Sequence, residues 1–248
     1  MTAAAQRGTL YLIPNSLGPG ALEAVIPAPV REVTASLDYF IAENAKTARA
    51  FLKRVSETHP LCKPIQETEI RELNVNTASA ELPALLAPLL AGRHAGLVSE
   101  AGVPAVADPG ADLVRLAHQC HIPVRPLVGP SSLLLALMAS GLNGQSFAFQ
   151  GYLPTEANER SQRIRQLEQR SRQERQTQIF IETPYRNEAL LESLAMHCSP
   201  TTLICIATDL TLETESVRTQ AATVWKHEIL AGRMPDFRKK PTVFLMLA

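Results

Sequence analysis

Two loops rich in glycine, proline and serine carry the groups that could hold a polar ligand, at residues 99–110 and 129–132. Glycine lets the main chain approach a bulky ligand closely. Ser131 and Ser132 precede a helical pattern, and the start of a helix presents unpaired N–H groups beside their hydroxyls. The alternative is that both loops only join a strand to a helix, with one serine as its cap. The two roles are compatible, because one hydroxyl can serve the helix while its neighbour serves a ligand.

The elements around these loops predict where the ligand would lie. Each loop follows a short apolar run, at residues 97–98 and 124–128, and each precedes a helical pattern. Two successive strand–loop–helix units predict parallel strands. Ligands of open parallel sheets bind outside the carboxyl ends of the strands. Both loops are therefore expected at the binding edge of the sheet.

The whole chain predicts two α/β domains, at residues 1–129 and 130–248. The second domain is less regular, and residues 62–76 have no clear pattern. Further strands are predicted at residues 9–13, 37–42, 146–150, 179–181, 203–207, 216–219 and 242–247. Further helices are predicted at residues 21–26, 45–57, 78–91, 156–176, 187–196 and 222–231.

Composition limits the class of protein. The chain has 248 residues, of which 46% are apolar and only 5% aromatic, so aliphatic side chains must fill the core. Its formal net charge is zero, which argues against a general polyanion binder. Any contact with nucleic acid would need a local basic patch.

The cysteines and histidines indicate neither disulfides nor a metal site. None of the four cysteines forms a C-x-x-C pair, which favours reduced thiols in a cytosolic protein. His94, His118 and His121 do not have the spacing of a ligand set, so no metal is expected. The first residues lack the apolar core of a signal peptide, and no apolar run is long enough to span a bilayer. We expect a cytoplasmic protein without a membrane contact.

Several motifs occur in a characteristic order: S-E-A-G-V-P with D-P-G, G-P-S-S, A-S-G-L, F-Q-G-Y-L-P, E-T-P-Y-R and D-L-T. They begin at residues 99, 108, 129, 139, 149, 182 and 209. In order and spacing they resemble the tetrapyrrole methylase superfamily. Within it the chain is most similar to the small-subunit ribosomal RNA cytidine 2′-O-ribose methyltransferases, and the resemblance covers nearly the whole length.

The resemblance implies a fold, a cofactor and a partner. The fold would be two αβα domains, the N-terminal one with a parallel sheet and the C-terminal one with a mixed sheet, and a cofactor cleft between them. The cofactor would be S-adenosylmethionine, the substrate small-subunit ribosomal RNA and the assembly a homodimer. Carried over by position, the cofactor-binding residues are Pro14, Gly102, Val103, Pro104, Ser131, Ser132, Tyr152, Ala207, Pro241 and Thr242.

Methyl transfer to a ribose hydroxyl suggests a base or a cation that assists the oxygen. The candidate bases are Glu43, Glu100 and Glu182, and the candidate cation is Arg186. Glu100 and Arg186 rank first as catalytic residues, because both lie in matched motifs at strand ends. The predicted substrate contacts are Glu43, Asn44, Glu182 and Tyr185. Alternatively, Glu182 and Arg186 only form a salt bridge at a helix entrance, and Tyr185 only packs.

The chain departs from the ribosomal pattern mainly on the substrate side. E-N-A-K at residues 43–46 replaces the usual E-D-T-R, and residues 70–74 contain none of the histidines usual there. Three functions therefore stay open: methylation of ribosomal RNA, methylation of a small molecule such as a tetrapyrrole, and cofactor binding without catalysis.

An arginine-rich helix, expected at residues 156–176, offers one local basic patch. Its glutamates can pair with arginines four residues away, which favours a solvated helix. The functional alternative is a surface that follows RNA phosphates. The residues concerned are Arg160, Arg163, Arg165, Arg170, Arg172 and Arg175, with Glu159, Glu168 and Glu174.

Overall fold

The computed structural model describes residues 6–248, which fold as two compact units. The first unit ends at Ser131 and the second comprises Ser132–Ala248. Among the described residues, no helix combines the length and the apolar character needed to cross a membrane.

The first unit contains a five-stranded sheet in the order β3-β2-β4-β1-β5, in which every neighbouring pair of strands is parallel. Its strands are β1 (Leu10–Ile13), β2 (Tyr39–Ala42), β3 (Glu69–Glu72), β4 (Ala95–Val98) and β5 (Val124–Pro126). Its helices are α1 (Leu22–Val25), α2 (Ala28–Ala35), α3 (Ala45–Ser56), α4 (Leu82–Leu90) and α5 (Gly110–Gln119).

Helices cover both faces of this sheet. Successive side chains of a strand point to opposite faces. In β2, Phe40 and Ala42 pack in the cluster formed with α1, α2 and α3, whereas Tyr39 and Ile41 pack in the cluster formed with α4 and α5. Burial on both faces explains why β2 and β4 consist of apolar residues and glycine alone.

The second unit contains a mixed five-stranded sheet in the order β6-β7-β10-β8-β9. β6 and β7 are parallel, and β10 is antiparallel to both β7 and β8. Its strands are β6 (Phe147–Phe149), β7 (Thr177–Glu182), β8 (Leu203–Thr208), β9 (Ser216–Ala221) and β10 (Thr242–Leu247). Its helices are α6 (Ser132–Ser140), α7 (Ala157–Glu174), α8 (Asn187–His197) and α9 (Ala222–Leu230).

The core of the second unit lies between its sheet and α7, α8 and α9. Phe180, Phe244 and the chain's single tryptophan, Trp225, are fully buried there. The Trp225 indole N–H donates to the Ile204 carbonyl oxygen at 2.9 Å, so the largest side chain is also satisfied as a donor. Helix α6 packs on β8, β9 and β10, where Thr219 donates to the Ser140 carbonyl at 2.8 Å.

The predicted fold class is confirmed: a parallel α/β sheet in the first unit and a mixed sheet in the second. The cofactor cleft that the resemblance implies stays a prediction. The two strand–loop–helix units are present as β4–α5 and β5–α6.

Two elements of the first unit were not predicted. Helix α2 follows Pro27 and contains Pro29, and proline disfavours the interior of a helix. A proline in the first turn costs little, because its missing N–H would have no partner there. Strand β3 reads E-I-R-E and lies at the edge of the sheet, half-buried at best, so it lacks the apolar signal of the other strands.

Truncation of a buried leucine tests the core of the second unit. Leu194 in α8 is 0% exposed, whereas Leu230 at the end of α9 is 75% exposed. We expect Leu194→Ala to lower the free energy of unfolding by about 2–5 kcal/mol, because it leaves a cavity. Leu230→Ala, the matched control, should change it by less than about 0.5 kcal/mol. Chemical denaturation measures both, and equal losses would contradict this core.

Candidate functional site

The order of strands in the first unit creates a crevice at the carboxyl ends of β1 and β4. These strands are neighbours, yet β1 connects to β2 on the far side of β4, and β4 connects to β5 on the far side of β1. The two connections therefore leave in opposite directions. In open α/β sheets this is where ligands bind.

The loops that follow β1 and β4 are joined to each other by main-chain hydrogen bonds. The Asn15 N–H donates to the Gly102 carbonyl at 2.8 Å, and the Gly102 N–H donates back at 3.1 Å. The buried Asn15 side-chain amide also donates to the carbonyls of Ser99 and Glu100, at 3.2 Å each. Asn15 was not predicted as a site residue, because its side-chain partners lie 84 and 85 positions further along the chain.

The loop after β5 reaches the same place. A Cβ atom on Gly129 would lie 2.2 Å from Cγ of Pro14, and one on Gly102 would lie 3.4 Å from the Pro130 carbonyl oxygen. The ends of β1, β4 and β5 thus converge, which brings Pro14 and Gly102 together beside the residue that precedes Ser131. Helix α6 begins at Ser132, so both predicted serines lie at the head of a helix.

The loop after β4 has an unusual backbone conformation. Ala105 and Ala107, which are not glycines, have positive φ angles of 64° and 62°. Such conformations cost roughly 1 kcal/mol each and persist where the surroundings fix them. The Asp108 carboxylate fixes this loop by accepting from the N–H groups of Ala105 and Gly110, both at 2.8 Å. Val103 is half-buried and Pro104 is buried.

Two glutamates follow adjacent strands at this edge: Glu43 comes after β2 and Glu100 after β4. Burial, together with the negative charges of Asp108 and Glu100, raises the pKa of the Glu43 carboxyl. Burial also raises the pKa of Asp108. The Thr47 hydroxyl donates to Glu100 Oε1. The crevice thus contains a group of carboxylates whose negative charges repel one another.

Asn44, a predicted substrate contact, has a structural role. Its Oδ1 accepts from the backbone N–H of Lys46 at 2.8 Å and caps α3. From α3, Arg54 donates to Ser16 Oγ at 2.8 Å and to the Gly20 carbonyl at 2.6 Å. The loop after β1 is therefore held from two sides, by Asn15 and by Arg54.

In the second unit, several predicted residues lie side by side at the ends of three neighbouring strands of the mixed sheet, β7, β10 and β8. Thr242 pairs with Glu182 of β7 on one side and with Thr208 of β8 on the other. Ala207, next to Thr208, is buried. Pro241, next to Thr242, accepts a hydrogen bond from the Asp209 N–H at 3.1 Å.

Glu182 and Arg186 form an ion pair with each other. An Arg186 N–H donates to Glu182 Oε2 at 2.5 Å, with the two side chains 23% and 1% exposed respectively. Glu182 Oε1 accepts from the Thr183 N–H at 2.7 Å. This geometry favours the salt-bridge alternative for both residues. Tyr185 and Tyr152, by contrast, are 83% and 61% exposed.

Helix α7 uses several arginines to attach itself to the second unit. Arg160 donates to Ser193 Oγ at 2.9 Å and Arg163 to Gln150 Oε1 at 3.0 Å. Arg172 lies 3.8 Å from Glu168, as the spacing predicted, and Arg170 pairs with Glu174 at 3.2 Å. The helix also buries Ile164 and Leu167 in the core, so one of its faces is packed and not solvated.

Within residues 6–248, no group of three or more histidine, cysteine, aspartate or glutamate side chains is arranged to hold a metal ion.

Comparison with known proteins agrees with this fold. The chain is 32% identical to ribosomal RNA small subunit methyltransferase I of Synechocystis sp. over 204 residues. This match covers 82% of the chain and 67% of the relative. It is 28% identical to the Escherichia coli O157:H7 protein of the same name over 211 residues, which are 85% of the chain and 68% of that relative. The chain thus spans about two thirds of the length of these relatives. The crystal structure of the methyltransferase CobJ superposes with a TM-score of 0.60 at 18% identity, covering 97% of this chain and 93% of that one, which shows a shared fold.

The fold and these relatives define the class of protein as a methyltransferase. The chain belongs to the tetrapyrrole (corrin/porphyrin) methylase family, whose model matches residues 9–224.

Substitution of the ion pair in the second unit separates a structural from a chemical role. Arg186→Met leaves a buried, unpaired carboxylate at Glu182, and we expect it to lower the free energy of unfolding by about 2 kcal/mol. This loss is smaller than the loss expected when one partner of a fully buried ion pair is removed, because the Arg186 guanidinium is partly solvated. The double variant Glu182→Gln/Arg186→Met should recover most of this loss, because no buried charge remains.

Chemical denaturation of both variants at neutral pH measures the two effects. Arg170→Met, which breaks an exposed pair with Glu174, is the control and should cost less than about 0.5 kcal/mol. An additive loss in the double variant would show that the pair does not account for the burial of Glu182.

Proposed function

We propose that the protein transfers a methyl group from S-adenosylmethionine to a ribose 2′-hydroxyl of small-subunit ribosomal RNA. The observation that carries this proposal is the convergence of the loops after β1, β4 and β5, joined through Asn15 and Gly102. Such a place can hold a nucleoside mainly through main-chain atoms.

The chemistry of the crevice fits this cofactor. S-adenosylmethionine has a sulfonium, an ammonium and one carboxylate, so it is a net cation, and it supplies an activated methyl group. The carboxylates of Glu43, Glu100 and Asp108 repel one another, which contributes to the raised pKa of Glu43. A cation beside them would relieve that repulsion. The residues proposed to hold the cofactor here are Pro14, Gly102, Val103, Pro104, Ser131 and Ser132.

The proposal includes four residues of the second unit as cofactor contacts: Tyr152, Ala207, Pro241 and Thr242. What supports them is the resemblance of their motifs and, for the last three, their common position at one edge of the mixed sheet. The exposed ring of Tyr152 is free to cover a flat ligand.

For the acceptor hydroxyl, we propose that a carboxylate at the end of β2 or β4 accepts the proton. A base works best when its pKa lies near the working pH. The raised pKa of Glu43 therefore makes it a candidate beside Glu100. Arg186 is retained as the candidate cation that stabilises the developing negative charge on oxygen. Tyr185 offers the substrate an exposed ring on which a base can stack. Asn44 and Glu182 stay in the proposed substrate surface as residues that position it, since one caps α3 and the other pairs with Arg186.

The choice of RNA as substrate rests on the names of the relatives, which are ribosomal RNA small subunit methyltransferases. A second candidate is a small molecule such as a tetrapyrrole. This candidate is favoured because β3 and residues 43–46, which lie in the motifs assigned to the substrate, depart from the ribosomal pattern. A homodimer in the cytoplasm completes the proposal, and the resemblance is its support.

Glycine substitutions test the cofactor site. Gly129→Ala places a methyl group 2.2 Å from Pro14 Cγ, so one of the two loops must move. We expect affinity for S-adenosylmethionine to fall at least about tenfold, because small displacements of positioning groups are costly. Gly144→Ala is the matched control, since no atom lies within 4 Å of its added carbon. Isothermal titration calorimetry measures both, and equal affinities in the two variants would contradict the site.

The acceptor is tested by transfer of a tritiated methyl group to small ribosomal subunits from cells that lack this gene. We expect label in the RNA at a ribose, and a loss of about 10²–10⁴-fold in rate for Glu43→Gln if Glu43 is the base. The control is Glu67→Gln, since Glu67 is exposed and lies outside the crevice. Unlabelled RNA, with S-adenosylmethionine binding intact, would exclude ribosomal RNA and favour the small-molecule substrate.

A further inference from the structure

A second concave surface lies at the opposite edge of the first unit's sheet. It is an open groove of about 800 Å³ at the amino ends of the strands, formed where Thr9 precedes β1, His94 precedes β4 and Pro123 precedes β5. The loops of the proposed cofactor site follow the carboxyl ends of the same strands, so the two surfaces are separated by the length of the sheet.

The side chains around this groove are basic or neutral. Arg7, Arg125, His94 and His121 line it, and no acidic residue is among the described residues that do so. Within the described part of the chain, neither Arg7 nor Arg125 forms a salt bridge. The neighbouring Arg93 differs, because Asp38 and Glu69 hold it at 2.8 and 2.6 Å.

Helix ends account for part of this charge. Helices α4 and α5 end beside the groove, near Leu90 and His121, and each carboxyl end carries roughly half a negative charge. Arg7 donates to the Cys120 carbonyl, which is a helix-capping contact. The partial negative charges of the two helix ends together cancel about one of the two positive charges of Arg7 and Arg125. The groove therefore keeps a net positive charge, which helix capping does not explain.

His94 adds a donor whose orientation the backbone sets. The Thr9 N–H donates to His94 Nδ1 at 2.9 Å, so Nδ1 is the acceptor and Nε2 is the ring nitrogen left to donate. Arginine N–H groups and an imidazole N–H together match the several acceptor oxygens of a phosphate group.

We propose that this groove is a phosphate-binding site. The phosphate belongs either to a small free compound or to the backbone of an RNA. The site does not depend on the proposed methyl transfer, because it shares none of the residues assigned to the cofactor.

The test uses the full chain and two probes, pyrophosphate and a short single-stranded oligoribonucleotide, in isothermal titration calorimetry at constant ionic strength. Saturable binding of either probe is expected. Arg7→Gln and Arg125→Gln should each weaken it about tenfold, the usual effect of one charge-assisted hydrogen bond. Arg115→Gln is the control: this arginine of α5 is 71% exposed, pairs with Asp112 and does not line the groove. It should change affinity by less than about twofold.

The two probes distinguish the source of the phosphate. Tighter binding of pyrophosphate than of the oligonucleotide identifies a small compound as the source, whereas tighter binding of the oligonucleotide identifies an RNA backbone. No saturable binding of either probe, or an equal loss in Arg115→Gln, would overturn the proposal. If Arg7→Gln unfolds the protein because its contact with the Cys120 carbonyl is lost, Arg125→Gln alone tests the proposal. S-adenosylmethionine affinity, measured in the same variants, should be unchanged, so failure here is separable from failure of the proposed function.

Discussion

The pairing of the main chain at Asn15 with that at Gly102 is the constraint on which the first unit's site depends. Two backbone hydrogen bonds and two from the Asn15 amide join loops that leave neighbouring strands in opposite directions. Each such bond stabilises the fold by only about 1 kcal/mol, but an unpaired buried group would cost more. The loops therefore have little freedom to separate, and the surface they form exists before any ligand arrives.

Small residues make this approach possible. Gly102 has a φ of 71°, which would strain a residue with a side chain, and a side chain at Gly129 would collide with Pro14. Asp108 then fixes the left-handed conformation of the loop after β4. In such an arrangement the ligand meets groups already in position, and little of the binding free energy is lost in ordering them.

The two edges of the first sheet have opposite electrostatic character. Carboxylates gather at the carboxyl ends of the strands, where burial and mutual repulsion raise the pKa of Glu43. Arginines and histidines gather at the amino ends. A net charge of zero for the whole chain conceals this separation. The first edge suits a cationic cofactor and the second an anion.

The sequence predicted what depends on local pattern. An apolar run followed by a glycine-rich loop located β4, because a strand buried on both faces is continuously apolar. The glycine-rich loop at residues 129–132 located β5, although this strand lies at the edge of the sheet and is largely exposed. It failed at β3, whose partner β2 supplies the sheet contact that its own polar residues do not signal. It also missed Asn15 and the groove at Arg7 and Arg125, since both depend on residues about 85 and 118 positions apart that only the folded chain brings together. The Glu182–Arg186 spacing predicted their contact but could not separate an ion pair from a catalytic pair.

A crystal structure with S-adenosylhomocysteine, the demethylated product, would show whether the crevice of the first unit holds the cofactor. We expect the nucleoside to lie against residues 102–104 and 129–131, with the Asn15–Gly102 hydrogen bonds intact and backbone atoms as its main partners. A nucleoside bound elsewhere, or one that breaks this pair in order to enter, would contradict it.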